Sequence, residues 1–302
     1  MSAAWLWLLI AMNLLWAGTV SVYKYLGSYM DAGEIATMRF GIAAICLGAL
    51  WPWLPGKGPR SKDLLRALAM GVIVFCLSPR LQIAGVHRGQ AGDTSLLIAL
   101  EPLIVAVGAA LVLKEKIAPK RWWGFALGML GTTLISQIWR KEALQGFVAN
   151  MIFISSFVCE AAFSLIGKPM LDRVSPLKLV AVGLLGGSAA NVAISGVSIP
   201  AVPVVAWVSL AYLGVICSAV GYALWYFAIQ RTPVNLVSLT VFVQPVAGLL
   251  LARLWLGEAL HWGQFWGSVV IIAGLVIGLR PERSAEVDLK RATSAEPCVG
   301  KS

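Results

Sequence analysis

Four ionisable side chains, Arg39, Arg80, Glu101 and Glu160, each interrupt an apolar run long enough to cross a membrane. The stretch SLLIALEPLIVAVGAALVLKEK, residues 95–116, shows this most sharply, because without Glu101 it reads as an unbroken span. A charge in hydrocarbon costs about 2.5–3.5 kcal/mol on insertion scales, so four such groups require partners, water or a function. The two guanidiniums are suited to hold an anionic group, most simply a carboxylate. The two carboxyls are suited to meet an amine or to carry a proton. Together Arg39, Arg80, Glu101 and Glu160 outline a polar cavity for a zwitterion such as an amino acid or a related metabolite, with Glu101 and Glu160 as proton-coupling groups. An architectural use competes with this: Arg39 or Arg80 pairs with Glu101 and touches no ligand, and even such a pair acts as a gate if it forms in one state and breaks in another. Trp16, Tyr23, Tyr222, Trp225 and Tyr226 are candidates for the apolar wall, with ordinary helix packing the alternative for each.

The elements that position these groups follow from composition. Of 302 residues, 59% are hydrophobic and 13% charged, and the mean hydropathy is +0.82, which marks an integral membrane protein. A bilayer core about 30 Å thick needs about 20 apolar residues per helix, and the runs are continuous rather than alternating, which excludes a barrel. Ten spans are expected, at 5–26, 33–54, 64–84, 92–113, 120–138, 145–166, 177–198, 206–229, 235–256 and 262–280. Tryptophans mark run ends, as in Trp51/Trp53, Trp122/Trp123 and Trp262/Trp266, where an indole prefers the headgroup layer. Lys and Arg gather in the even-numbered connections, around Lys57 to Arg66, Lys114 to Arg121 and Arg173 to Lys178, and in the tail. That bias places those segments and both termini in the cytoplasm, with Arg140-Lys141 as the exception. The net charge of +10 is thereby a topology signal and not a nucleic-acid footprint.

Other chemistry finds little support. None of the five cysteines has metal-ligand spacing, and His87 and His261 are isolated, so no metal and no cofactor is expected. PGKGPRSK, residues 55–62, lacks the spacing of a phosphate loop and follows no strand, which excludes an ATP motor. No serine stands in a nucleophile elbow. The first apolar run leads into further spans, so it reads as a span and not a cleaved signal peptide.

The strongest pattern is internal. A shift of 143 brings Arg88 onto Arg231, Ser95 onto Ser238, Pro102 onto Pro245, Glu115 onto Glu258, Trp123 onto Trp266, Gly124 onto Gly267 and Gly131 onto Gly274 without gaps. A shift of 144 brings Ala17 onto Ala161 and Lys24 onto Lys168. Residues 1–139 and 140–280 are then two five-helix repeats, followed by a disordered cytoplasmic tail, 281–302. Five is odd, so the second copy enters the membrane from the opposite side, an arrangement suited to alternating access. Ten spans in two halves, the stretches EPLIVAVGAALVLKEKIAPKRWWGFALGMLG and QPVAGLLLARLWLGEALHWGQFWGSVVIIAG, and GYALWYFAIQRTP resemble the EamA-type branch of the drug/metabolite transporter superfamily over residues 5–280. The resemblance implies a central cavity lined by spans one to four and six to nine, peripheral fifth and tenth spans, and proton-coupled or facilitated export.

Polar residues common to both copies serve the scaffold on this reading, and those found in one copy are candidates for binding. Glu115/Glu258 fit a turn or helix N-terminus and Arg88/Arg231 sit at span ends. Pro102, Pro245 and Pro79 are candidate hinges. In the unshared set Arg39 is matched by Gly183, Arg80 by Ala223, Glu101 by Gln244 and Glu160 by Trp16. Counting at 1.5 Å per residue places Glu101 near mid-bilayer, Arg39 and Arg80 in the outer half, and Glu160 and Lys168 toward the inner half. Gly124-xxx-Gly128 and Gly263-xxx-Gly267 serve close helix contact, within a monomer or across a homodimer. The expectation is an all-α, ten-helix secondary transporter of the cell membrane, exporting a small metabolite or a drug against protons, with lipid as its surroundings and not an enzyme. A lipid scramblase or flippase, or a membrane enzyme acting on lipid through Glu101 or Glu160, are the rivals.

Overall fold

In hydrocarbon each unsatisfied backbone N–H or C=O costs several kcal/mol, so a spanning chain must close its hydrogen bonds within itself. A computed structural model describes residues 3–88, 100–136, 147–197, 201–256 and 262–280, and every regular element among them is helical. Glu258, His261 and the tail 281–302 lie outside the described residues, as do the side chains of Lys24, His87 and Arg88. The helices are α1 (Ala3–Ala17), α2 (Thr19–Leu26), α3 (Ala32–Ala49), α4 (Lys62–Gly71), α5 (Ser78–Arg88), α6 (Glu101–Val112) and α7 (Pro119–Ser136). They continue as α8 (Phe147–Gly167), α9 (Pro176–Ser195), α10 (Val204–Ala211), α11 (Gly221–Arg231), α12 (Val234–Leu239), α13 (Val243–Leu256) and α14 (Trp262–Leu279). Among the described residues six helical stretches are long and apolar enough to cross a membrane, and Trp5–Ala17, Glu101–Val112 and Val234–Leu250 are shorter apolar helices. The protein is an all-α integral membrane protein. Trp53, Trp123 and Trp262 are well exposed, as expected of rings that meet lipid headgroups.

Glycine decides which helices touch. A Cβ at Gly71 of α4 would run into the carbonyl of Gly183 on α9, and one at Gly187 would meet the carbonyl of Gly71. The position matched to Arg39 in the other half is thus a seat for a neighbouring backbone. The pair α7 and α14 is as close: Gly131 faces the carbonyl of Gly267, and Gly267 faces that of Gly131. Gly124 lies against Gly274 and Gly278, and Gly128 against Phe242. The small-residue positions Gly124, Gly128 and Gly267 are therefore occupied inside the chain.

Two spans are widened by π-helical turns, Val72–Leu77 between α4 and α5 and Tyr212–Val220 between α10 and α11. Such turns cluster at functional sites because they re-aim side chains. Pro79 has no N–H to offer Phe75 one turn earlier. Asn191 of α9 supplies the missing donor, its Nδ2 lying 2.8 Å from the Phe75 carbonyl oxygen.

One end of the bundle is tied by polar contacts. After α6, Lys114 adopts a left-handed conformation with φ 56°, and the Glu115 N–H reaches back to the Ala109 carbonyl at 3.2 Å, the signature of a Schellman stop. This turn aims Glu115 at another part of the chain. Its carboxylate accepts from Lys168 Nζ at 2.6 Å, from the N–H of Val234 at 3.0 Å, and from Asn235 Nδ2 at 2.8 Å. Arg121 donates to Asn235 Oδ1 at 2.6 Å, and Arg173 grips Asp63 through two bonds of 2.6 and 2.8 Å. The connections joined here include those richest in Lys and Arg.

Candidate functional site

A cavity of about 220 Å³ opens among α1, α2, α3, the α4–α5 span, α6, α8, α11 and α13. Helices α7 and α14 contribute nothing to its lining, and neither does α9. Lining residues include Trp16 and Glu160, Thr19 and Phe163, Pro79 and Tyr222, Gln82 and Trp225, and Glu101 and Gln244. Each of these pairs is separated by 143 or 144 positions in the chain.

Arg39 is only 7% exposed. Its Nε donates to Ser218 Oγ at 2.7 Å, its Nη1 donates to the Tyr23 hydroxyl, and its guanidinium lies 4.9 Å from the centre of the Phe40 ring. Ser218 in turn donates to the Leu213 carbonyl at 2.8 Å, five residues back. The π-helical turn thus turns the serine toward the arginine. All these partners are neutral, so among the described residues the positive charge has no anion within bonding distance.

The carboxyls supply the negative side. Glu160 Oε1 accepts from Gln82 Nε2 at 2.8 Å and lies 3.2 Å from Ser78 Oγ, whose other neighbour is the Ser156 carbonyl at 3.1 Å. Glu101 reaches Glu160 directly, within hydrogen-bonding range. Counting residues along the spans had separated these two carboxyls in depth, and the structure brings them together. A residue count gives backbone position to about one turn of ~5.4 Å and takes no account of side chains that converge on one cavity. Gln244, at the position matched to Glu101, donates to Asn13 Oδ1 at 3.0 Å. Asn13 is itself fully buried and donates to the Leu9 carbonyl at 2.8 Å.

The aromatic wall is pinned in place. Trp16 Nε1 donates to the Cys217 carbonyl at 2.8 Å, which the π-helical turn leaves accessible, and the Trp16 ring covers the bare backbone of Gly221. Trp225 Nε1 donates to Ser164 Oγ at 2.8 Å. The Tyr222 ring packs edge-on to Phe75 and Phe163.

Two expected members lie elsewhere. Arg80 turns from the cavity, its Nη2 donating to Ser195 Oγ at 2.6 Å and Asn191 Oδ1 at 3.2 Å. Tyr226 is wholly buried, with its hydroxyl 2.9 Å from the Phe163 carbonyl and its ring stacked on Phe163. Among the described residues neither arginine forms an ion pair with Glu101, so the pairing weighed as a helix clamp is not made here. Of the candidate hinges, Pro79 lines the cavity, while Pro102 and Pro245 directly follow the lining residues Glu101 and Gln244. Among the described residues no cluster of three or more His, Cys, Asp or Glu gathers to hold a metal ion.

The model of the EamA-like transporter family matches this chain twice, over residues 3–137 and 148–280. The chain belongs to the EamA-like transporter family. A relative from Archaeoglobus fulgidus, named an uncharacterized transporter, is 24% identical over 277 residues, 91% of this chain and 98% of its own. A probable terminal-alkyne amino-acid exporter from Streptantibioticus cattleyicolor is 24% identical over 275 residues, 90% of this chain and 92% of its own. A solved crystal structure matches the fold with a TM-score of 0.76 at 16% identity, covering 92% of this chain and 99% of that one. The protein is a membrane transporter.

Within this EamA-like site the sequence alone did not single out Gln82, Ser78, Ser218, Thr19 or the phenylalanines Phe153, Phe157 and Phe163. Neutral polar and aromatic residues cost little in an apolar span, so nothing in their type or spacing marks them. For Gln82 a signal existed: it stands at the position matched to Trp225.

Proposed function

We propose that the protein exports a small metabolite bearing an amine and a carboxylate, by alternating access in exchange for protons across the cell membrane, with both termini cytoplasmic. One observation carries this reading: a buried Arg39 that forms no ion pair among the described residues and a contacting pair of carboxyls share one aromatic-walled cavity. Arg39 already gives bonds only to neutral groups, so a substrate carboxylate meets its charge without breaking an ion pair. The amine meets Glu101 and Glu160 against the aromatic faces. A volume near 220 Å³ falls below the ~300–1,000 Å³ of drug-sized pockets, which favours a metabolite over a drug. Ten spans in two oppositely oriented halves fit the double family match and the lining pairs 143 or 144 positions apart. The Glu115 and Asp63 contacts then close the cytoplasmic end, and the exchange cycle breaks and remakes them. The relative named as an amino-acid exporter supports the substrate class.

Counterflow of labelled amino acids into proteoliposomes preloaded with unlabelled ones tests the reading. Saturable exchange that is lost in Arg39→Gln is expected. Transbilayer lipid movement or lipid turnover in the same vesicles, with no solute exchange, overturns it.

A further inference from the structure

The two carboxyls of the cavity are not equivalent. Glu160 sits in a finished nest, with Gln82 Nε2 at 2.8 Å and Ser78 Oγ at 3.2 Å from one oxygen and the Arg39 guanidinium acting on it across the cavity. Among the described residues Glu101 has a single hydrogen-bonding neighbour, Glu160 itself. Amide N–H and hydroxyl groups that donate to an oxygen stabilise its ionised form, and two carboxylates in contact cannot both ionise without a cation between them. The shared proton therefore belongs to Glu101, which donates to Glu160.

We infer that Glu160 stays ionised throughout the cycle, balancing the charge of Arg39 across the cavity without bonding to it, and that Glu101 alone alternates between a proton and the protonated amine of the substrate. The inference rests on the exchange reading above and deepens it by dividing the site into a fixed carboxylate and an exchanging one. With Glu101 protonated, Arg39 and Glu160 balance and the cavity is neutral. Loss of that proton leaves one surplus negative charge, and a single protonated amine replaces it, so binding of one amine releases one proton.

The other titratable groups do not disturb this count. Among the described residues α8 brings Cys159 beside Glu160, α5 brings Arg80, which is turned to Asn191 and Ser195, α12 brings none, and Arg39, Tyr23 and Tyr222 line the cavity from α3, α2 and α11. Tyrosine and cysteine hold their protons, and arginine its charge, through the neutral range. Phe153 and Phe157 line the same cavity and pack with Leu100 and Ile104, neighbours of Glu101 along the chain, and aromatic rings attract a cation, so the subsite suits an amine on an apolar or aromatic body.

Phenethylamine is the probe, titrated calorimetrically into the purified full-length protein in buffers of different ionisation heat, so that released protons are counted. The wild type is expected to bind it with release of one proton, and with affinity that rises about tenfold per pH unit on the acid side. Glu101→Gln imitates the proton-loaded state: it keeps the wild-type unfolding temperature, releases no proton and binds the amine at least about tenfold more weakly, the loss of roughly one favourable charge contact. Glu160→Gln strands Arg39 and lowers the unfolding temperature. The reverse stability pattern, equal stability of the two variants, proton release retained in Glu101→Gln, or no binding of phenethylamine overturns the assignment. If the binding and stability pattern holds while vesicle exchange is absent, the transport reading fails and the division of roles stands.

Discussion

Replacing Glu115 with Gln keeps the shape of the side chain and removes its charge at the tied end of the bundle. The wild-type carboxylate is 12% exposed and holds Lys168 Nζ at 2.6 Å, together with the backbone of Val234 and both nitrogens of Asn235. A glutamine offers one oxygen where the carboxylate offered two, so its NH₂ faces a donor. Hydrogen bonds to charged groups contribute about 1.5–3 kcal/mol against about 0.5–1.5 for neutral ones, and the half-screened Lys168 pair adds no more than ~1. The expected loss is about 2–3 kcal/mol. Its pH dependence has a definite sign. Burial pushes the Glu115 carboxyl up, but Lys168 and the N–H groups of Val234 and Asn235 outweigh that and hold it below the usual carboxylate range. A depressed folded value gives stability that is complete above the unfolded value of ~4.3 and is lost as pH falls through the folded one. Thermal unfolding in detergent, followed by tryptophan fluorescence at pH 7 and pH 4, reads both effects. The gap between wild type and Glu115→Gln should be widest at pH 7 and shrink at pH 4. Equal midpoints at pH 7, or a gap that widens on acidification, would refute the latch.

Four further outcomes follow from packing, hydrogen bonding and backbone conformation. Gly71→Ala drives a Cβ into the Gly183 carbonyl and should cost at least about 1–3 kcal/mol, whereas Gly41→Ala enters open space and should leave the midpoint unchanged or raised. Asn191→Leu removes the donor to the Phe75 carbonyl and a partner of Arg80, so a loss of about 1–3 kcal/mol is expected by the same unfolding assay. Lys114→Gly relieves a left-handed residue and should stabilise by up to about 1 kcal/mol.

The membrane class and the helical runs were legible because twenty-residue apolar stretches have few other uses. Arg39, Glu101 and Glu160 stood out for the same physical reason, as charges out of place. Arg80 raised the same alarm, yet it is answered by Asn191 and Ser195, neutral residues whose type gives no notice of a partner on another helix. Glu115 was expected to serve a turn or a helix N-terminus. It meets the backbone at the start of α12, more than a hundred residues away, a pairing that only tertiary structure supplies. The π-helical turns that aim Ser218 and expose the Cys217 carbonyl left no mark in residue type, since Val, Ile and Leu suit α and π turns alike. Gly183 is instructive in another way: its mismatch with Arg39 flagged Arg39 for binding, while the glycine itself is what lets α4 and α9 close.

On the proposed mechanism the Arg39, Glu101 and Glu160 cavity carries the solute and links its movement to a proton. Proteoliposomes holding wild type or Glu101→Gln, given labelled amino acid and then a pH gradient, address it most directly. Gradient-driven accumulation is expected in wild type, and in Glu101→Gln equilibrating exchange with no accumulation. Accumulation by Glu101→Gln at the wild-type level would contradict it.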